Sequence, residues 1–196
     1  MAENIKNIQE LFNIINRLSA KNSLIIAIEG GSASGKTTLA KKLQDAYDCN
    51  VLHMDDFFLR PEQRTPQRLD EIGGNVDRER FQAEVLESLK NNQTVRYRRY
   101  DCSTQTLSDI ITLAPKKITI VEGAYSMHLE FGKYYDFSVF LDIDCEYQKE
   151  RILARSPQLA SRFLGEWIPL ENKYFVGTDI KRRVDAIFFV KSESDK

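Results

Sequence analysis

Residues 30–38 read Gly30-Gly31-Ser32-Ala33-Ser34-Gly35-Lys36-Thr37-Thr38. Gly30, Gly35, Lys36 and Thr37 fall at the fixed places of G-x-x-x-x-G-K-[ST]. That spacing describes a cradle for a chain of phosphates. The glycines let the backbone curl so that its N–H groups point inward. Lys36 reaches the β/γ-phosphates and the Thr37 hydroxyl can ligate Mg²⁺. The phosphates then sit at the positive end of the helix that follows.

The flanks support this reading. Ser23-Leu24-Ile25-Ile26-Ala27-Ile28 is short, apolar and partly β-branched, as a buried strand should be. Thr38 to Ala46 carries good helix formers, with Leu39, Leu43 and Ala46 on one face. A Gly/Ser linker would have neither flank and no need of the lysine. Residues 30–38 are therefore assigned to nucleotide binding.

Working outward, the 196 residues suit a single domain. Charged residues make up 29% and hydrophobic ones 42%, ordinary for a globular chain. The net charge of -1 gives no basic field for nucleic acid or an anionic membrane. Cys49, Cys102 and Cys145 are odd in number and lack C-x-x-C spacing, which argues against a disulfide framework or zinc site. A reducing cytoplasm is the location this implies. No apolar run is long enough to span a bilayer, and the first residues, with Glu3 and Glu10, lack a signal-peptide core.

Ile5, Ile8, Leu11, Phe12, Ile15 and Leu18 predict an amphipathic helix within residues 1–20, packed on its own domain or pairing two copies as a homodimer. Asn50 to His53 is a second strand, followed by Met54-Asp55-Asp56-Phe57-Phe58. Residues 59–76, with Pro61, Pro66, Gly73 and Gly74, read as a long loop of the functional kind. Asp77 caps a helix whose buried face is Phe81, Val85, Leu86 and Leu89. Residues 94–113 read as an extended excursion or hairpin on the substrate side. Further buried strands fall at 118–121, 137–141 and 186–190, with helices near 145–155 and 158–175. Strands separated by helices predict a parallel α/β sheet flanked by helices in three layers. Ligands gather at the carboxyl ends of such strands, where the phosphate loop, Asp55, Glu122 and Asp142 all fall.

Phosphoryl transfer needs metal ligands, a group that orients the acceptor hydroxyl, and positive charge over the migrating group. Asp55 can accept the proton of an attacking hydroxyl, or cap a turn. Asp56 supports it or caps the turn. Glu122, ending the strand at 118–121, can hold Mg²⁺ together with Thr37. Asp142 and Asp144 form a D-x-D pair, but Asp144 reads as a helix cap. Arg151 and Arg155 are four apart and share a helical face with Arg162 nearby. A lid over about residues 145–175 would bring these cations over the phosphates; the bland alternative is a solvated face with Glu150 as partner.

The chain resembles the uridine kinase family of P-loop small-molecule kinases, over about residues 24–190. That family also contains nicotinamide riboside kinases and is related to phosphoribulokinase and pantothenate kinase. The carrying stretches are the loop at 30–38, His53-Met54-Asp55-Asp56-Phe57-Phe58, Asn75-Val76-Asp77, Tyr100-Asp101, Val121-Glu122-Gly123 and Phe140-Leu141-Asp142-Ile143-Asp144. The resemblance implies a P-loop NTPase fold with a five-stranded parallel sheet, a helical lid and a small β insertion. It implies ATP and Mg²⁺ as cofactors, Asp55 as proton acceptor, Glu122 near the metal, and Lys36, Arg151 and Arg155 at the transferred phosphoryl. It places Asp77 at the ribose hydroxyls and Tyr100 beside the acceptor; Asp56 and Arg162, read from their positions in the chain, are further substrate-side candidates. The run after Tyr100-Asp101 departs from the family, with Gln105 where a histidine is expected and Leu107 where an arginine is. The lid reads Ser156-Pro157-Gln158-Leu159-Ala160-Ser161-Arg162 and lacks the usual Arg-Gly segment.

The leading expectation is an ATP-dependent kinase acting on a hydroxyl of a small molecule, a nucleoside or ribosyl compound. A GTPase-type switch is the first rival, since Asp70-Glu71-Ile72-Gly73 matches D-x-x-G. Its guanine reader, however, would need Asp where Asn172-Lys173-Tyr174-Phe175 ends in Phe. An ATP-binding module without catalysis is the second rival, and the complete set of Lys36, Thr37, Asp55 and Glu122 speaks against it.

Overall fold

The computed structural model describes residues 2–191. Its centre is a sheet of six strands: β1 (Glu3–Ile5), β2 (Leu24–Gly30), β3 (Cys49–His53), β6 (Ile118–Glu122), β7 (Phe137–Ile143) and β8 (Ala186–Val190). They lie in the order β1-β8-β7-β2-β6-β3, and every pairing is parallel. The strand carrying the phosphate loop is thus flanked on both sides, by β7 and β6.

Both faces of the sheet are covered, and the period-2 alternation of strand side chains shows it. Ala27, Val121 and Phe140 point into one core, with Phe57, Phe81, Tyr97 and Tyr174. Their neighbours Ile26, Ile28, Ile120, Val139 and Leu141 point into the other, against Leu11, Ile15, Leu39 and Leu43. The latter four come from α1 (Ile8–Leu18) and α2 (Lys36–Ala46). Burial on both faces explains why these strands read as continuous apolar runs.

The chain start differs from expectation. A helix within residues 1–20 and five strands were predicted; α1 begins at Ile8, and Glu3–Ile5 adds a sixth, edge strand beside β8. Asn7 separates the two by capping α1, its side chain accepting from the Glu10 N–H at 3.1 Å. The predicted loop at 59–76 contains a short helix, α3 (Pro66–Asp70), with Pro66 at its first position and Thr65 as cap.

Asp77 caps α4 (Arg78–Phe81), which runs through a π-helical stretch, Gln82–Leu86, into α5 (Glu87–Lys90). Against this packs an antiparallel hairpin of β4 (Val95–Asp101) and β5 (Thr106–Leu113), with a register shift between Arg98 and Tyr100. Tyr97 anchors it by stacking on Phe57 at 5.5 Å. After β7 comes α6 (Cys145–Arg155), capped by Asp144 through the N–H groups of Glu146 and Tyr147. The single helix expected over 158–175 is broken into α7 (Ala160–Arg162), a π stretch (Phe163–Trp167) and α8 (Ile168–Gly177). Pro169 lacks an N–H, so regular bonding cannot pass through it undisturbed. The short α9 (Ile180–Arg183) leads into β8. No helix among the described residues is long and apolar enough to cross a membrane.

Candidate active site

The carboxyl ends of β2, β3 and β6 meet at one edge of the sheet, and the phosphate loop curls there. Gly30 adopts φ +148°, and a Cβ on it would lie 2.7 Å from the Leu141 carbonyl oxygen. No side chain fits, so the first glycine is a steric requirement. Ala33 and Gly35 both have positive φ, at 59° and 98°. Left-handed residues alternating with right-handed ones turn successive N–H groups to one side, which makes an anion nest at the start of α2.

Lys36 Nζ donates to the Gly31 carbonyl at 2.8 Å, so the ammonium lies against the loop. The Thr37 hydroxyl donates to Glu122 Oε1 at 2.9 Å. His53 Nδ1 lies 2.6 Å from that same oxygen, and this bond raises the imidazole's affinity for a proton. Glu122 is 4% exposed at the end of β6, next to His53 at the end of β3. Thr37 and Glu122 together offer hard oxygens side by side. That donor set fits Mg²⁺, which takes one or two protein oxygens and completes its octahedron with phosphates and water.

Asp55 and Asp56 look alike in sequence, but the one-turn 3₁₀ helix Met54–Phe57 sends them different ways. Asp56 is buried and spent on the hairpin. Arg99 Nε lies 3.0 Å from Oδ1, and the Tyr97 hydroxyl donates to Oδ2 at 3.2 Å. Asp55 is open to the cleft. The protein packed around the cleft pushes its carboxyl up, while the nearby Lys36 charge pulls the other way and Glu122 adds repulsion. Asp55, Lys36 and Glu122 therefore feel one another's charge, and Thr37 joins them through its bond to Glu122.

The other predicted residues are more dispersed. Asp77 is 2% exposed; it accepts from the Arg80 N–H and from Gln63 Nε2 at 3.0 Å. Tyr100 is buried in β4. The Arg151 guanidinium reaches the loop, with both terminal nitrogens under 4 Å from where a Gly35 Cβ would stand. Arg155 lies over the Phe163 ring at 5.5 Å, and Arg162 over Trp167 at 4.8 Å while bonding Glu166. Asp142 pairs with Lys181, and Asp70 of the D-x-x-G match pairs with Lys173.

Two buried glutamates escaped the sequence reading. Glu29, fully buried at the end of β2, accepts from the N–H groups of Gly30, Tyr125 and Met127 and from the Tyr174 hydroxyl. Burial pushes its carboxyl up to about 7. The loop it holds contains Tyr125, at φ +74°. Such a backbone costs on the order of 1–3 kcal/mol and persists only where its surroundings hold it, as the Glu29 bonds to Tyr125 and Met127 do here. Glu171, 7% exposed on α8, accepts from Ser32. A cavity of about 360 Å³ beside Lys21, Lys116 and Lys117 lies near the start of β2 and β6, the opposite end from this cleft.

The chain is similar to known kinases in sequence and fold. The chain is 28% identical over 173 residues to the uridine kinase of Chlamydia pneumoniae, covering 79% of this chain and 77% of that one. It is 27% identical over 181 residues to the uridine kinase of Macrococcus caseolyticus, covering 83% and 86%. A solved structure of a possible uridine kinase from Bacillus stearothermophilus superposes with a TM-score of 0.65 at 24% identity, over 91% of this chain and 99% of that one, and shares the fold. The sequence profile of the Phosphoribulokinase / Uridine kinase family matches residues 25–158, more than half of the chain. This protein therefore belongs to the phosphoribulokinase/uridine kinase family of P-loop kinases.

Proposed function

We propose that this kinase transfers the γ-phosphoryl group of ATP, with Mg²⁺, to a hydroxyl of a small molecule of the nucleoside or ribosyl class. The observation that carries this reading is Asp55. It is an exposed carboxylate just past the end of β3, its proton affinity raised by the surrounding protein, and close enough to Lys36 and Glu122 to feel their charges. A base in that position can take the proton of an incoming alcohol as the oxygen attacks phosphorus.

In this reading the nest at 30–38 and Lys36 hold the phosphate chain in line. Thr37 and Glu122 would hold the metal, which neutralises charge on the phosphate oxygens. Arg151, already beside Gly35, stabilises the charge that spreads over the migrating group, and Arg155 joins it when the lid closes. Asp77, Tyr100, Asp56 and Arg162 border the acceptor side. The relatives named uridine kinase support a nucleoside-type acceptor, while Gln105 and Leu107 depart from the base-contact pattern that the family resemblance implies.

The test is acceptor-dependent ADP release across ribonucleosides, pantothenate and sugar phosphates. Turnover with a ribonucleoside or related riboside is expected. Turnover restricted to pantothenate or a sugar phosphate, or ATP binding with no transfer to any of them, would end this reading.

A further inference from the structure

Ser32 is gripped at three polar atoms by side chains from two distant helices. Its N–H donates to Glu171 Oε2 at 2.8 Å and its hydroxyl to Glu171 Oε1 at 2.6 Å. Gln148 Nε2 donates to its carbonyl at 2.7 Å. Gln148 comes from α6 and Glu171 from α8. The stretch between Gln148 and Glu171 contains Arg155 and Arg162 and lies within the proposed lid.

The peptide joining Gly31 to Ser32 is a rigid plane whose C=O and N–H point in opposite directions. Lys36 holds the oxygen edge and Glu171 holds the N–H edge. Gly31 offers little resistance to rotation of this plane, because it has no Cβ. A Cβ there would lie 2.9 Å from Gln148 Nε2, so the Gln148 amide would have to move off its present place. When a nucleotide binds, the Lys36 ammonium serves the β/γ-phosphates and its hold on Gly31 loosens. Glu171 on the N–H edge and the Ser34 N–H, which donates to the Gly31 carbonyl at 3.2 Å, are then the remaining pins. Were the plane to turn over, the Gly31 carbonyl would meet the Glu171 carboxylate and give up its bonds from Lys36 and the Ser34 N–H, and the curl of the loop would be lost.

We propose that Glu171 is a positioning residue for nucleotide binding and transfer, acting through Ser32 to fix the Gly31–Ser32 peptide and to fasten the phosphate loop to the base of the lid. Its near-complete burial fits this role, since a carboxylate removed from water is retained where its lone pairs are used. Burial pushes its carboxyl up, and Lys36 and the two Ser32 bonds pull it down. A glutamine can accept the same N–H and pair with the same hydroxyl, so geometry rather than charge is what the site uses.

This inference rests on the kinase reading above, and its test is first a binding measurement so that the two can fail separately. Calorimetry of MgATP should give a Kd about tenfold higher for Glu171→Ala than for the wild type, and within about threefold of the wild type for Glu171→Gln. Turnover should show kcat/KM for ATP about 10²-fold lower in Glu171→Ala, the scale of a misplaced reacting group, with the acceptor KM within about twofold. In a double-mutant cycle, Glu171→Ala should cost less in a Ser32→Ala background than alone, because the two act through shared bonds. Thermal melts identify variants that fail to fold; if Glu171→Ala is one, Glu171→Gln and Ser32→Ala carry the test. Unchanged MgATP affinity in a folded Glu171→Ala protein, additive costs in the cycle, or a Glu171→Gln defect of tenfold or more would each overturn the proposal. Wild-type protein that binds MgATP but phosphorylates no acceptor would defeat the kinase reading and leave the binding test standing.

Discussion

The Thr37 hydroxyl donates to Glu122 Oε1 at 2.9 Å, joining the first turn of α2 to the end of β6. The bond places a helix-start oxygen donor and a strand-end carboxylate on one small volume beside the phosphate nest. His53 touches the same carboxylate oxygen from β3, so Glu122 is oriented from two sides. Glu122→Ala removes one donor and unpins the other. The Mg²⁺ concentration for half-maximal activity should rise about 10–100-fold, the usual cost of a lost metal-site partner. A magnesium titration of the rate at saturating ATP measures it. An unchanged requirement would remove Glu122 from the metal site.

Asp55→Asn keeps the shape of the side chain and removes its basicity. Because Asp55 is open to the cleft and Asp56 carries the hairpin contacts, the fold should be unaffected. The expected loss in kcat is on the order of 10²–10⁴, with ATP affinity nearly unchanged. Steady-state kinetics with calorimetry separates these. Asp56→Asn should behave in the opposite way, with a lower melting temperature from the weakened Arg99 and Tyr97 contacts.

Lys36→Ala removes the cation lying against the loop at Gly31. Transfer should fall by about 10²–10³ or more, with the circular dichroism spectrum retained. Arg151→Ala should lose more than Arg155→Ala, because Arg151 already reaches Gly35 while Arg155 rests on Phe163. The ratio of the two kcat values is the readout, and equal losses would contradict this ordering.

The parallel strands were legible because burial on both faces leaves an uninterrupted apolar run, and the loop because its spacing is steric. β1 was not, since Glu3-Asn4-Ile5 has one apolar residue and follows the helical spacing of α1. The break at Phe163–Trp167 was equally hidden, because apolar residues continue through it. Asp55 and Asp56 were found as a pair, but which faces the cleft depends on the 3₁₀ turn and the docked hairpin. Glu29 lies in an apolar strand and Glu171 in a mixed helix. A lone carboxylate carries no periodic signal, and, the adjacent Gly30 N–H apart, the donors that each one meets lie about 100 or more positions away along the chain.

Glu29 gives a prediction in pH. Its folded carboxyl is pushed up to about 7 by burial, against an ordinary value of 4.5. Between these values the folded protein keeps a proton there that the unfolded chain has released. Stability from this group is therefore fully present below about pH 4.5 and lost as pH rises through about 7, by on the order of 3 kcal/mol. Glu29→Gln keeps the shape and cannot titrate. The melting temperature of the wild type minus that of the variant should be largest near pH 5 and should shrink by pH 8. A difference that stayed constant, or grew with pH, would mean that Glu29 is ionised in the folded protein throughout this range.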